Sequence, residues 1–254
     1  MIAITRNVSS SLAGCELSFV SRTGIDIDRA IAQHEDYRAA LERLGCTVLA
    51  LPAQDAMPDA VFVEDVAVVF DEVAVLTRPG AESRRGEGAS VADVLSDYRK
   101  LQAIQPPGTL DGGDVLRVGR TVYVGQAARS NASGIDQLRE LLSPFDYDVR
   151  AVPTHGCLHL KSAATQISEG VLLVQPEWVD VSAFSGHRLI PVDPDEEHAA
   201  NALRIGDTLI HPTCFPKTRA RLGQAGIDVV PVDISELQKA EGAVTCCSLV
   251  FADA

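Results

Sequence analysis

No apolar run in the 254-residue chain approaches the roughly 20 residues a helix needs to cross a bilayer, which excludes a helical membrane span. The opening residues, Met1-Ile2-Ala3-Ile4-Thr5-Arg6, lack the basic stretch and apolar core of a secretory signal. Cysteine occurs six times but never as Cys-x-x-Cys or at zinc-finger spacing. Reduced thiols in a cytoplasmic protein are therefore the expectation. Positive charge is in deficit: 22 Lys and Arg face 35 Asp and Glu, a net charge of −13. That balance argues against nucleic acid and anionic membrane surfaces as partners, while it suits a cationic small molecule. Low-complexity linkers are missing too, so residues 1–254 read as one domain. With 46% apolar and 22% charged residues, that domain is an ordinary globular one.

What is present is a repeat. Hairpins of apolar strands around short polar turns recur: Asp65–Phe70 with Val73–Thr77, Asp114–Val118 with Thr121–Val124, Ala164–Ile167 with Val171–Val174, and Ala202–Ile205 with Thr208–Ile210. A fifth first strand stands at the C-terminus, and Ile2–Thr5 is the strand available to pair with it and close a ring. Amphipathic spacing predicts helices over Ile25–Leu44, Ser130–Leu142, Thr218–Ala225 and Ile234–Lys239. Ser130 or Asn131 is the cap of the second. Extended segments Thr47–Leu51, Asp148–Val152 and Asp228–Val232 complete a β-β-α-β unit. The fold class is α/β, five such units around an axis.

The polar residues opening each unit are Asp65, Asp111, His159, Asn201 and Cys246, at intervals of 46, 48, 42 and 45 residues. In a ring, equivalent positions converge. Cys246 becomes a candidate nucleophile because adjacent cysteines rarely form a structural disulfide. The repeat phase selects Cys246 as the residue that faces the axis, because neighbours on a strand point to opposite sides, and Cys247 is expected to point away. His159 is the candidate base or acid for that thiol, and Asp111, beside Gly112 and Gly113, is a carboxylate to orient its ring. Asp59, Glu64 and Asp65 surround Phe62, a composition suited to a guanidinium, which pairs with carboxylates and lies flat on aromatic faces. Arg84 and Arg129 follow Asp65 and Asp111 by 19 and 18 residues, a pair able to clamp a carboxylate.

Five segments together carry a family resemblance: Phe62-Val63-Glu64-Asp65-Val66, Arg78-Pro79-Gly80-Ala81, Leu110-Asp111-Gly112-Gly113-Asp114-Val115, Leu158-His159-Leu160-Lys161-Ser162 and Thr245-Cys246-Cys247-Ser248. Nearly the whole chain, from Asp26 onward, resembles the dimethylarginine dimethylaminohydrolases of the guanidino-group-modifying superfamily. The resemblance implies a five-bladed pseudo-symmetric α/β propeller and hydrolysis of Nω-methylated arginines to citrulline and methylamine or dimethylamine, without a cofactor. It implies that Cys246 attacks the guanidinium carbon to form a covalent thiouronium, that His159 protonates the leaving amine and then activates water, and that Asp111 supports His159. It further implies that Asp65 grips the guanidinium with Glu64 and Asp59 nearby, and that Arg84 and Arg129 hold the α-carboxylate. Lid residues are expected around Ser18–Thr23. A monomer or homodimer is compatible with the chain. The rivals are an arginine deiminase, whose inserted helical domain has little room here, and a non-catalytic arginine binder, which would have an interrupted triad. A zinc site of Cys157, His159, Cys246 and Cys247 is a further reading; zinc at Cys246 is expected to inhibit.

Overall fold

The computed structural model describes residues 1–253. Its strands, numbered in chain order, form five three-stranded sheets. The first joins β1 (Ile2–Arg6), β2 (Thr47–Leu51) and β15 (Leu249–Phe251). The second joins β3 (Ala67–Val69), β4 (Val73–Leu76) and β5 (Lys100–Ala103). The third holds β6 (Val115–Val118), β7 (Thr121–Gln126) and β8 (Asp148–Pro153). In the fourth are β9 (Ala164–Ser168), β10 (Val171–Val174) and β11 (Arg188–Pro191). The fifth comprises β12 (Leu203–Ile205), β13 (Thr208–Pro212) and β14 (Asp228–Val232).

Every sheet has one recipe. An antiparallel pair, a hairpin in all but the first sheet, is joined by a strand that arrives after a crossover and adds in parallel to the middle strand. The parallel strand needs that crossover because a tight turn can only reverse direction. β1 takes the middle place in the first sheet, pairing antiparallel with β15 (Ile2↔Phe251, Ile4↔Leu249) and parallel with β2. The two ends of the chain thus share one blade of the five-bladed propeller. No helix among the described residues is long and apolar enough to cross a membrane.

The crossover helices are α1 (Ile27–Arg43), α2 (Ala89–Leu95), α3 (Ala132–Leu142) and α5 (Pro216–Gln224), while α4 (Leu160–Ala163) and α6 (Ser235–Gln238) are single turns. The side chain of Asn131, not Ser130, caps α3 by accepting the Gly134 N–H. The fourth unit carries only a 3₁₀ turn, Val181–Phe184, where its siblings have a helix. α1 buries Ala30, Tyr37, Ala40 and Leu41, an i, i+3, i+4 face, against Val61, Phe62, Val244 and Cys247.

The opening polar residues do not share one register. Asp65 precedes its strand by two residues, Asp111 by four, His159 by five, Asn201 by two and Cys246 by three. Short helical turns absorb the difference: 3₁₀ turns at Val63–Val66 and Gly112–Asp114, and α4 after His159. They deliver the side chains to the same end of the axis. Asp65 and His159 were expected at strand openings, and both sit in or beside such turns.

Candidate active site

Cys246 and Cys247 also lie in a turn, ahead of β15 rather than on a strand. Strand alternation therefore cannot decide which sulfur faces the axis; the turn's hydrogen bonds do. The Cys246 N–H donates to Ala243 O (3.2 Å), the Glu64 N–H donates to Cys246 O (3.2 Å), and the Tyr37 hydroxyl donates to Val244 O (2.8 Å). In that frame the Cys247 thiol donates to Ala243 O (3.4 Å) inside the core beside α1. Cys246 instead lines a narrow cavity of about 20 Å³.

Asp59, Phe62, Asp65, Arg84, Arg129 and His159 line the same cavity. The His159 ring is buried; Nε2 lies 3.0 Å from Asp111 Oδ2, and Nδ1 lies 3.8 Å from Asp65 Oδ1. The other Asp111 oxygen accepts the Gly80 N–H (2.8 Å). Burial alone would lower the His159 pKa, but the carboxylates of Asp65, Asp111 and Asp114 outweigh it and hold the imidazolium up to about 9. Asp65 is driven the other way. Burial pushes it up, yet the cations of His159 and Arg84 and the Gly113 N–H hold it at about 2.

Cys246 is a thiol at rest: burial first, then the negative charges of Glu64 and Asp65, push its pKa well above the ordinary value. Imidazolium and thiol thus wait in one pocket.

Two residues have protein partners that the sequence reading did not include. Glu64 does not line this cavity. Its carboxylate faces a hollow of about 290 Å³ elsewhere in the protein, meets Lys161 Nζ at 2.5 Å and accepts the Thr245 hydroxyl at 2.8 Å. The 3₁₀ turn at Val63–Val66 turns Glu64 and Asp65 to different surroundings, and Glu64 braces the residue before Cys246. Arg84 is the second. Its guanidinium pairs with Asp65 Oδ2 (2.6 Å) and Glu87 Oε2 (2.8 Å), and Nη2 also donates to Phe62 O (3.2 Å). With Nε and Nη2 engaged and one Nη1 proton on Asp65, one of the five guanidinium N–H donors remains for a ligand. Arg84 is first the counter-ion that keeps Asp65 ionised. Arg129 is half-buried, and its Nη2 donates to Ser18 Oγ (3.2 Å) in the expected lid segment.

The proposed zinc set is not assembled. Among the described residues, the potential ligands that gather are Asp65, Asp111 and His159, within 4.8 Å of one another and without a cysteine. They already neutralise each other and Arg84. All six cysteines are unpaired.

Sequence reasoning missed the brace behind the triad. Asp114 Oδ1 accepts the Leu160 N–H (2.9 Å), and its Oδ2 accepts the Ser130 hydroxyl (2.6 Å), while Ser130 Oγ accepts the Asp111 N–H (3.1 Å). This chain ties the backbones beside His159 and Asp111 together. Its signal was visible in Gly112-Gly113-Asp114, where Asp114 reads as a strand opening. The two glycines are required by contact. A Cβ on Gly112 would lie 1.9 Å from Glu64 O, and one on Gly113 would lie 2.5 Å from His159 Nδ1. Gly113→Ala is expected to displace the imidazole by several tenths of an ångström and lower kcat about 100-fold. Steady-state kinetics beside a thermal melt checks this; wild-type kcat in the folded variant would refute the contact argument.

The family model for eukaryotic N,N dimethylarginine dimethylhydrolase matches residues 18–251. The chain belongs to the dimethylarginine dimethylaminohydrolase family. A Streptomyces coelicolor N(G),N(G)-dimethylarginine dimethylaminohydrolase is 42% identical, over 97% of this chain and 95% of the relative. The Pseudomonas aeruginosa enzyme of the same name is 35% identical, over 89% and 90%. A solved structure of the dimethylarginine dimethylaminohydrolase from Pseudomonas aeruginosa, a cysteine-to-serine variant complexed with citrulline, superposes with a TM-score of 0.94 at 33% identity, covering 98% of both chains. Within the family frame, the five-bladed ring of this chain brings Asp111, His159 and Cys246 to one end of its axis.

Proposed function

We propose that this chain hydrolyses Nω-methylated L-arginines to L-citrulline and methylamine or dimethylamine, as a cytoplasmic monomer or homodimer that needs no cofactor. The observation that carries the reading is a buried His159 imidazolium, held by Asp111 and sharing one narrow cavity with the Cys246 thiol. A binder has no use for such a charged acid beside a nucleophile.

The guanidinium enters beside Asp65, whose ionised carboxylate attracts it. Its positive charge offsets the carboxylates that hold the Cys246 proton, and the thiolate attacks the guanidinium carbon. The C–S bond forms, and the C–N bond to the methylated nitrogen breaks as His159 Nδ1 protonates the departing amine. The thiol proton passes to solvent as the cation binds, and the amine, which leaves neutral with the proton from His159, takes one up there. Neutral His159 then takes a proton from water, whose oxygen attacks the thiouronium carbon; the C–S bond breaks, citrulline leaves and the thiol is restored. Asp111 keeps Nδ1 aimed at the reacting atoms throughout.

Citrulline formation from asymmetric dimethylarginine, monomethylarginine and arginine is the test. The methylated substrates are expected to exceed arginine in kcat/KM by at least about tenfold, a margin the loss of one or two well-packed methyl contacts supplies. Equal or faster turnover of arginine would make the chain a deiminase. Dialysis against a chelator is expected to leave turnover intact and added zinc to inhibit through the Cys246 thiolate; loss of activity restored by zinc would refute the mechanism.

A further inference from the structure

Asn201 opens the fourth unit, two residues before β12, and is the one opening residue with no place in the chemistry above. It is buried, and it does not line the cavity that holds Cys246 and His159. Its side chain is fully committed elsewhere. Nδ2 donates to Lys161 O (3.0 Å) and to the Thr245 hydroxyl (3.0 Å), and Oδ1 accepts the Thr245 N–H (3.1 Å). A carbonyl can only accept and a backbone N–H can only donate, so these partners fix which end of the amide faces which way. No carboxylate could make all three bonds.

The two partners flank the reacting pair. Thr245 directly precedes Cys246, and Lys161 stands two residues after His159 in the single turn α4, which His159 caps. Thr245 Oγ1 donates on to Glu64 Oε2 (2.8 Å), and Lys161 Nζ meets Glu64 Oε1 (2.5 Å), so the four residues close a ring. The other anchors of the site do not span this gap. Asp114 and Ser130 tie the backbone beside His159 to Asp111, while the turn of Cys246 is held by Ala243, Glu64 and Tyr37. Asn201 joins the turn that carries the acid to the turn that carries the nucleophile.

We propose that Asn201 is a positioning residue, which sets His159 Nδ1 against Cys246 by tying Lys161 O to Thr245. This rests on the reading that Cys246 attacks a methylated guanidinium and His159 protonates the leaving amine. Without the amide, the nucleophile turn keeps its own three anchors and α4 keeps Asp114, but the two lose their register with each other. The loss falls on delivery of the proton, a step that tolerates little misplacement.

Two substrates separate that loss from a general one. Asymmetric dimethylarginine releases an amine that departs only when protonated. Its isothiourea analogue, with methylthio in place of dimethylamino, gives the same citrulline but releases a thiolate that needs no acid. Citrulline formation yields kcat/KM, which reports the steps through that departure, with thermal melts alongside. Asn201→Ala is expected to lower kcat/KM about 30-fold on dimethylarginine and by no more than about threefold on the isothiourea. Thr245→Val keeps the side chain's shape and opens the ring at its hydroxyl; it is expected to lose at least about fivefold more on dimethylarginine than on the isothiourea, and Thr245→Ser to restore both. That pair decides the matter if Asn201→Ala does not fold. Equal losses on the two substrates, a larger loss on the isothiourea, no loss on either, or Thr245→Ser as impaired as Thr245→Val would overturn the assignment. Failure of the wild type to turn over any methylarginine would instead remove the functional reading, a distinct result.

Discussion

Cys246→Ser is expected to lower kcat by on the order of 10⁴ or more, the usual scale for removing a nucleophile that acts with a partner. Cys247→Ser is expected to keep most of the activity. The two sulfurs are neighbours in sequence, but their surroundings differ. Cys246 lines the cavity with His159 and Asp65, where an incoming cation offsets the charges that keep it protonated. Cys247 is fully buried beside α1, its thiol donates to Ala243 O, and burial pushes its pKa far up with no cationic group to offset the penalty. A hydroxyl there can inherit the hydrogen bond, so the expected cost is about 1 kcal/mol of stability. Citrulline formation at saturating substrate, with intact-mass detection of the thiouronium adduct, tells the two apart. A dead Cys247→Ser beside an active Cys246→Ser would place the nucleophile one residue later.

Asp111→Asn is expected to cost about 10²–10⁴ in kcat, the range for a histidine deprived of the carboxylate that orients and charges it. The amide keeps the size of the side chain and can still accept the Gly80 N–H. It removes a negative charge 3.0 Å from His159 Nε2. The direction of the pH effect follows. The His159 pKa is raised to about 9 in the folded protein, so its proton is fully present near neutrality and lost as pH climbs through that value. Without Asp111 the remaining carboxylates of Asp65 and Asp114 still raise it, but less, and the alkaline limb of kcat/KM is expected to move towards neutral pH. Stability has the same sign. A histidine whose pKa rises on folding stabilises fully below its unfolded value of about 6.5, and that contribution drains away between there and about pH 9. The difference in melting temperature between wild type and Asp111→Asn should accordingly shrink as pH rises through this window. A constant difference, with an unmoved alkaline limb, would mean that Asp111 does not set the charge of His159.

Legibility in the sequence followed the range of the interaction. The hairpins around β4, β7, β10 and β13 and the helices α1, α3 and α5 were readable to within a few residues, because alternation, turn residues and i, i+3, i+4 spacing are local. The helix α2 was missed: it is short, and the segment from Gly86 to Gly88 before it reads as loop. The pairing of β1 with β15 followed from an incomplete fifth unit needing a partner, and the ring has it. Repeat spacing also drew Asp65, Asp111, His159 and Cys246 together, and all four meet at one end of the axis. The equal phase inferred for them did not survive, since the helical turns ahead of the strands differ in length.

The sequence by itself determined the repeat, its five-fold count and the residue types gathered at the axis, since each is written in spacing and composition. Only the tertiary structure decided their partners. Whether Asp65 meets Arg84, whether Glu64 turns away to Lys161, and whether Glu241 reaches back to Ser18 depend on backbone paths separated by 19 to 223 residues. Cys246 faces the cavity for the same reason: hydrogen bonds from Glu64 and Tyr37, distant in sequence, orient its turn. Hydrogen bonds act over about 3 Å in space, and no local pattern records which remote donor will stand there.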